Sequence, residues 1–160
     1  MRTLFCAALC VVLSASLFAG LPDPVKSRFV VGDPVWREIP IRDDLQGQYD
    51  KCWQTAINAI LESNFAIATM DKESGYIRTT ENSGVVILKG DWVYSVQISI
   101  KFTYLPAAEG KQATVQKIRI QASGHLAEIS KGRLKQAFQG YDSVVLANVF
   151  QDLQAKLGPR

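Results

Sequence analysis

Residues able to do chemistry are scarce in this chain of 160 residues. It has one histidine, His125, and three cysteines, of which Cys6 and Cys10 fall in the apolar N-terminal stretch. Nucleophilic catalysis needs a nucleophile with a positioned base, and Cys52 with His125 is the pairing to weigh. Cys52 lies on an apolar helical stripe, where a small buried hydrophobe is the expected role. His125 stands between Gly124 and Leu126 at the end of a strand pattern and reads as a boundary residue. One histidine, one later cysteine and scattered acids are too few for a convergent metal site. No glycine-rich phosphate loop occurs: Gly84, Gly90 and Gly110 sit in turn contexts. Gly124, Gly132 and Gly140 recur every eight residues without the basic residue of a P-loop. No cofactor is expected.

Charge of one sign is also missing. The formal net charge is +3, of which Arg2 carries one, and the signs are interspersed, which leaves no electrostatic footprint for nucleic acid. Lys131, Arg133 and Lys135 read as a solvated helix face in preference to a contact with lipid or nucleic acid.

What is present begins with Arg2, an apolar run from Leu4 to Leu13, and then small residues, the order of a secretion signal over residues 1–20. Cleavage after Ser16 or after Ala19 is open, with Leu17 a poorer match for the second. The run is shorter than the roughly 20 residues of a bilayer-spanning helix unless Ser14 to Leu21 is added, which keeps an uncleaved anchor open. Lipidation at Cys10 would place the bulky Leu9 just before the modified residue, and its apolar region would be short. Without the signal Cys52 is the only cysteine, so no intrachain disulfide is available and the core must hold the fold. About 140 residues remain, enough for one domain with a real core.

Residues 21–41 carry Pro22, Pro24, Pro34 and Pro40 and read as an extended lead-in. A short edge strand is expected at about Val35 to Ile39, with Trp36 pinning it to the domain. A domain of residues 42–160 follows. Asp43 with Gln46 predicts a capping box, and Leu45, Tyr49, Cys52, Trp53, Ala56, Ile57, Ile60 and Leu61 draw a helical stripe ending near Ser63-Asn64. Phe65 to Met70 and Tyr76 to Thr80 predict a hairpin about Gly75, and Val85 to Leu88 a continuation. From Trp92 to Tyr104 seven apolar side chains alternate with mostly polar ones, which predicts an antiparallel strand with one buried face. Ala113 to Ala122 is expected to pair back, with Gln116, Ile118, Ile120 and Ala122 sharing a face. Irregular helical turns are expected over His125 to Gln139. A last helix, capped by Asp142 or Ser143, would stop at Gly158-Pro159. The fold class is α+β: an antiparallel meander of four to five strands with N- and C-terminal helices on one face. Trp92, Tyr94, Phe102 and Tyr104 share the buried face of the long strand. They are either core or the lining of a gap between sheet and helix that takes an apolar ligand.

The stretch Tyr49 to Gln54, Ala59 to Phe65, and Asp71 to Thr80 with its Gly75-Tyr76-Ile77 strand start resembles small envelope lipoproteins of Gram-negative bacteria. These include the helix-grip domains of the outer-membrane assembly lipoprotein BamC. The resemblance covers about residues 45–80; later elements agree in order only, and no functional residue is carried over. It implies a periplasm-facing module with a structural or assembly role and no active site. Together with the signal, it predicts a non-enzymatic periplasmic or outer-membrane-associated module that binds other envelope proteins, with membrane association through the N-terminus. Carriage of a small apolar or lipid ligand is the alternative.

Overall fold

The structure, a computed structural model, describes residues 25, 27–82, 92–105 and 113–159. The expected signal, Cys10, the expected strand at Val85 to Leu88 and the expected turn at Pro106 to Lys111 lie outside the described residues.

In chain order the elements are β1 (Phe29–Val31), β2 (Arg37–Pro40), α1 (Asp43–Gln46), α2 (Tyr49–Glu62), β3 (Ile67–Asp71), β4 (Tyr76–Thr79), β5 (Trp92–Leu105), β6 (Thr114–Ser130), β7 (Arg133–Asp142) and α3 (Ser143–Leu157). All seven described strands belong to one antiparallel sheet of order β1-β7-β6-β5-β4-β3, with β2 alongside the first part of β6. The protein is therefore α+β, as its pattern predicts, with a larger sheet than the four to five strands expected. β1 and β7 supply the increase.

β5 follows its alternation closely. Trp92, Tyr94, Val96, Ile98, Ile100 and Phe102 are buried, facing Ile118, Ile120, Ala122 and Leu126 of β6 on the same side of the sheet. Helices α2 and α3 cover that side, and one continuous core results. The expected grouping of Gln116 with Ile118 and Ile120 fails, because the register slips between Thr103 and Tyr104. The extra residue of that bulge is Gln116, so Val115 turns inward and Gln116 outward. Gln116 spends its carbonyl on the amide of Ile41, 3.0 Å away.

The first helix is two helices. Gly47 closes α1 after four residues, and α2 restarts at Tyr49. Arg42, not Asp43, stands at the cap position, and Gln46 Nε2 reaches the Asp43 side chain at 3.0 Å and the Ile41 carbonyl at 3.1 Å. The expected capping box is thus absent. Leu45, Tyr49, Cys52, Trp53, Ala56 and Ile60 are buried as predicted, while Leu61 is exposed and Ala59 takes a place inside.

The largest departure is His125 to Gln139, which is strand and not helix. β6 runs on to Ser130, turns through Lys131 and Gly132, both with positive φ (49° and 72°), and returns as β7. Two consecutive left-handed residues match the twist of a tight hairpin. Lys131, Arg133 and Lys135 accordingly sit at a hairpin tip, with Lys135 paired to Glu128 at 3.1 Å.

The lead-in is woven into the core. β1 pairs with β7, β2 with β6, and Val25, Phe29, Ile39 and Ile41 are buried. The expected short strand is β2, starting two residues later and ending one later than read, and Trp36 does meet the domain: the Arg119 guanidinium lies 5.4 Å from its ring centre.

Candidate functional site

The four aromatic residues singled out on β5 do not converge. Trp92 and Tyr104 are twelve positions apart on one strand, roughly 40 Å at strand rise. Trp92 stacks on Phe138 (6.4 Å between ring centres). Phe102 and Tyr104 join Tyr49 and Trp53 of α2, with centroids 5.1–5.7 Å apart for the Tyr49 and Trp53 contacts to these rings. Gly75 closes that cluster: its φ is +68°, and a Cβ there would stand 3.0 Å from Phe102 Cβ and from Tyr104 Cε1. The Trp53 helix and the Gly75 turn of the sequence resemblance therefore meet in one packed cluster. Burial pushes the Tyr49 phenol up to about 12, and its hydroxyl donates to the Lys72 carbonyl at 2.6 Å.

Tyr94 alone belongs to a polar constellation, and that constellation is built on the lead-in. Gly124 and Gly140 face each other across β6 and β7, and the Phe29 ring lies over both: added Cβ atoms would sit 2.9 Å and 2.8 Å from it. Phe29 meets Tyr94 edge-on at 5.7 Å. Beside it, Arg28 binds Asp142 Oδ2 through Nε at 2.7 Å and Nη2 at 2.5 Å. The Tyr94 hydroxyl donates to the same oxygen at 2.7 Å. Asp142 Oδ1 accepts the amides of Val144 and Val145, both at 2.9 Å, and so caps α3, one of the two residues the sequence offers for that place. A buried carboxylate is tolerated when its lone pairs are answered this fully. Burial, then the hydrogen bond and charge of Asp142, raise the Tyr94 pKa well above the ordinary tyrosine range. For Arg28 burial works the other way, but Asp142 outweighs it and the guanidinium is held charged.

Arg28 and Tyr94 also line a half-open cavity of about 290 Å³ whose other walls include Ser63, Phe65, Asn82, Val96 and Val145. A neighbouring cavity of about 300 Å³ shares Ser63, Phe65 and Val145 and extends toward Glu62, Asn148 and Val149. The two form a groove between the end of α2, the start of α3 and the sheet. Its floor residues Tyr94 and Val96 were legible on the β5 stripe; Arg28 was not, because it precedes a three-residue strand in a proline-rich stretch.

Cys52 and His125 are not brought together. Cys52 is fully buried under α2, with Sγ 3.6 Å from the Leu45 carbonyl. His125 is exposed and neighbours the core-facing Gly124, so it points from the opposite side of the sheet. Burial raises the Cys52 thiol pKa, which keeps it protonated and inert. Iodoacetamide at pH 8 is expected to alkylate the Cys52 peptide at least about a hundredfold more slowly in the native protein than in denaturant, since access requires opening of the core. Labelling within tenfold of the unfolded rate would restore Cys52 as a candidate nucleophile. Among the described residues no group of three metal-ligating side chains is placed to hold an ion, and no helix is long and apolar enough to cross a membrane.

Among the described residues, fold and groove define an α+β protein whose seven-stranded antiparallel sheet is covered by helices on one side and whose Arg28–Phe29 segment is held by a cluster of Arg28, Asp142 and Tyr94. No family model and no curated protein matches the chain.

Proposed function

We propose that this is a non-enzymatic envelope module that binds other proteins by accepting an extended segment along the open edge of β3. The carrying observation is that edge: β3 is the last strand of the sheet and pairs only with β4 among the described residues. Four of its five residues are exposed, Met70 at 57%. An unpaired edge offers a row of backbone donors and acceptors to an added strand. The secretion-type N-terminus and the local likeness to helix-grip envelope lipoproteins support an exported, periplasm-facing setting, and helices gripped against an antiparallel sheet are consistent with a helix-grip-like arrangement.

The test places a photo-crosslinking residue at Met70, and separately at the exposed Lys51 of α2, in the protein expressed in its own envelope. A discrete protein adduct is expected at position 70 and not at 51, and it should disappear when Thr69→Lys is added to charge the edge. No adduct at 70, or the same adducts at both positions, would overturn the reading.

Carriage of a small apolar or lipid ligand is a second reading, favoured by the groove beside Tyr94. Its first cavity lies at the low end of ligand-pocket volumes, which run from about 300 Å³ upward. Such a volume suits one short chain.

A further inference from the structure

We infer that the groove takes a medium-chain alkyl carboxylate, its head on Arg28 and its chain against Phe65, Val96 and Val145. The inference rests on the carriage reading and adds the ligand's chemistry. Three observations carry it. The cavity walls are divided: Phe65, Val96, Val145 and the Tyr94 ring supply apolar surface, Ser63 and Asn82 supply neutral polar groups, and among the described lining residues Arg28 is the only cation. The guanidinium is held in place from behind, since the fully buried Asp142 binds its Nε and Nη2 edge and leaves Nη1 on the other edge. Its side chain keeps 34% of its surface in solvent, so a ligand can reach it. An arginine whose orientation is fixed by a buried carboxylate loses little freedom on binding, which favours a directed hydrogen bond.

The charge balance selects the head group. One guanidinium whose charge is already answered by Asp142 suits a monoanion and not a phosphate dianion. Glu62, in the lining of the neighbouring cavity, is already paired with Lys156 at 2.7 Å, so Arg28 is the charged group that anchors the head. Asp142 acts on the ligand only through Arg28 and is a positioning residue.

The experiment titrates octanoate and octanol separately into the folded protein by isothermal calorimetry. The comparison of the two probes reads the head group without touching Arg28, whose replacement would also disturb the fold. Val145→Phe, on the half-buried first turn of α3, fills the groove without opening the core. Saturable octanoate binding is expected, with octanol weaker by at least about tenfold, the value of one charge-assisted hydrogen bond, and with both lost in Val145→Phe. Equal binding of octanoate and octanol, still blocked by Val145→Phe, would overturn the carboxylate head while leaving carriage standing. Absence of binding by either probe, or binding that survives Val145→Phe, would overturn the site and the carriage reading with it.

Discussion

Alanine at Gly140 is expected to destabilise the protein by about 3–5 kcal/mol, more than any other single methyl addition at the described glycines of the sheet. A Cβ at this position would stand 2.1 Å from the Val30 carbonyl oxygen and 2.8 Å from Phe29 Cζ. The first contact is backbone and cannot swing away, so the only relief is for β1 to lift from β7. Lifting breaks the pairing of Phe29 with Asp142 and of Val31 with Gly140. It also exposes a fully buried phenylalanine, worth roughly 2–3 kcal/mol, and hydrogen bonds worth roughly 1 kcal/mol each. Such a loss lowers the melting temperature by roughly 10 °C in a domain of this size. Gly47→Ala is the control: its φ is −80° and nothing lies within 4 Å of the added methyl, so its effect should stay within about 0.5 kcal/mol. Urea melts of the two variants decide the matter. A Gly140→Ala protein within 1 kcal/mol of the parent would show that the β1–β7 contact is not tight.

The same glycines show where sequence reading succeeds and fails. Their spacing of eight is visible in the sequence, and its cause is the hairpin: Gly132 is in the turn, and Gly124 and Gly140 lie opposite each other on its two arms. The turn itself was hidden because Lys131 gives no sign that it adopts φ 49°. The residues after it, Leu134, Lys135, Gln136 and Ala137, are good helix formers. Hairpin pairing with β6 overrides that preference. By contrast the β5 alternation, the α3 stripe and the Asp142 cap are local patterns, and each is found as read. The polar constellation could not be assembled in advance. Arg28 and Asp142 are 114 residues apart and Tyr94 and Asp142 are 48 apart, so no sequence window contains any pair of them. Only Asp142 carried a local signal, and that signal was for a cap.

Removing the carboxylate at the centre of that constellation is the other large effect expected. Asp142→Ala takes away the α3 cap, roughly 1 kcal/mol, and leaves the buried Tyr94 hydroxyl without its acceptor, roughly 1–3 kcal/mol. It also strips Arg28 of its counter-charge; because Arg28 is a third exposed, water answers part of that loss. The expected total is about 3–4 kcal/mol, near the lower limit for breaking a buried pair. Asp142→Asn should fall only slightly short of it. Its single carbonyl oxygen can face either the Val144 and Val145 amides or Arg28 and Tyr94, and its amide then points donors at donors on the other side. Tyr94→Phe removes one hydrogen bond and keeps the ring against Phe29, so about 1 kcal/mol is expected. The order Ala, Asn, then Phe at 94 should hold in urea melts, and the Asp142 losses should persist in 1 M salt, which screens exposed charges but not buried ones. The exposed Lys117–Glu38 pair, 2.8 Å apart, gives the contrast: Lys117→Ala should cost under about 1 kcal/mol, with the difference fading in salt. If Asp142→Ala cost no more than Tyr94→Phe, the cluster would be a cap with a neighbouring arginine, and the lead-in would be held by Phe29 packing against Gly124 and Gly140 alone.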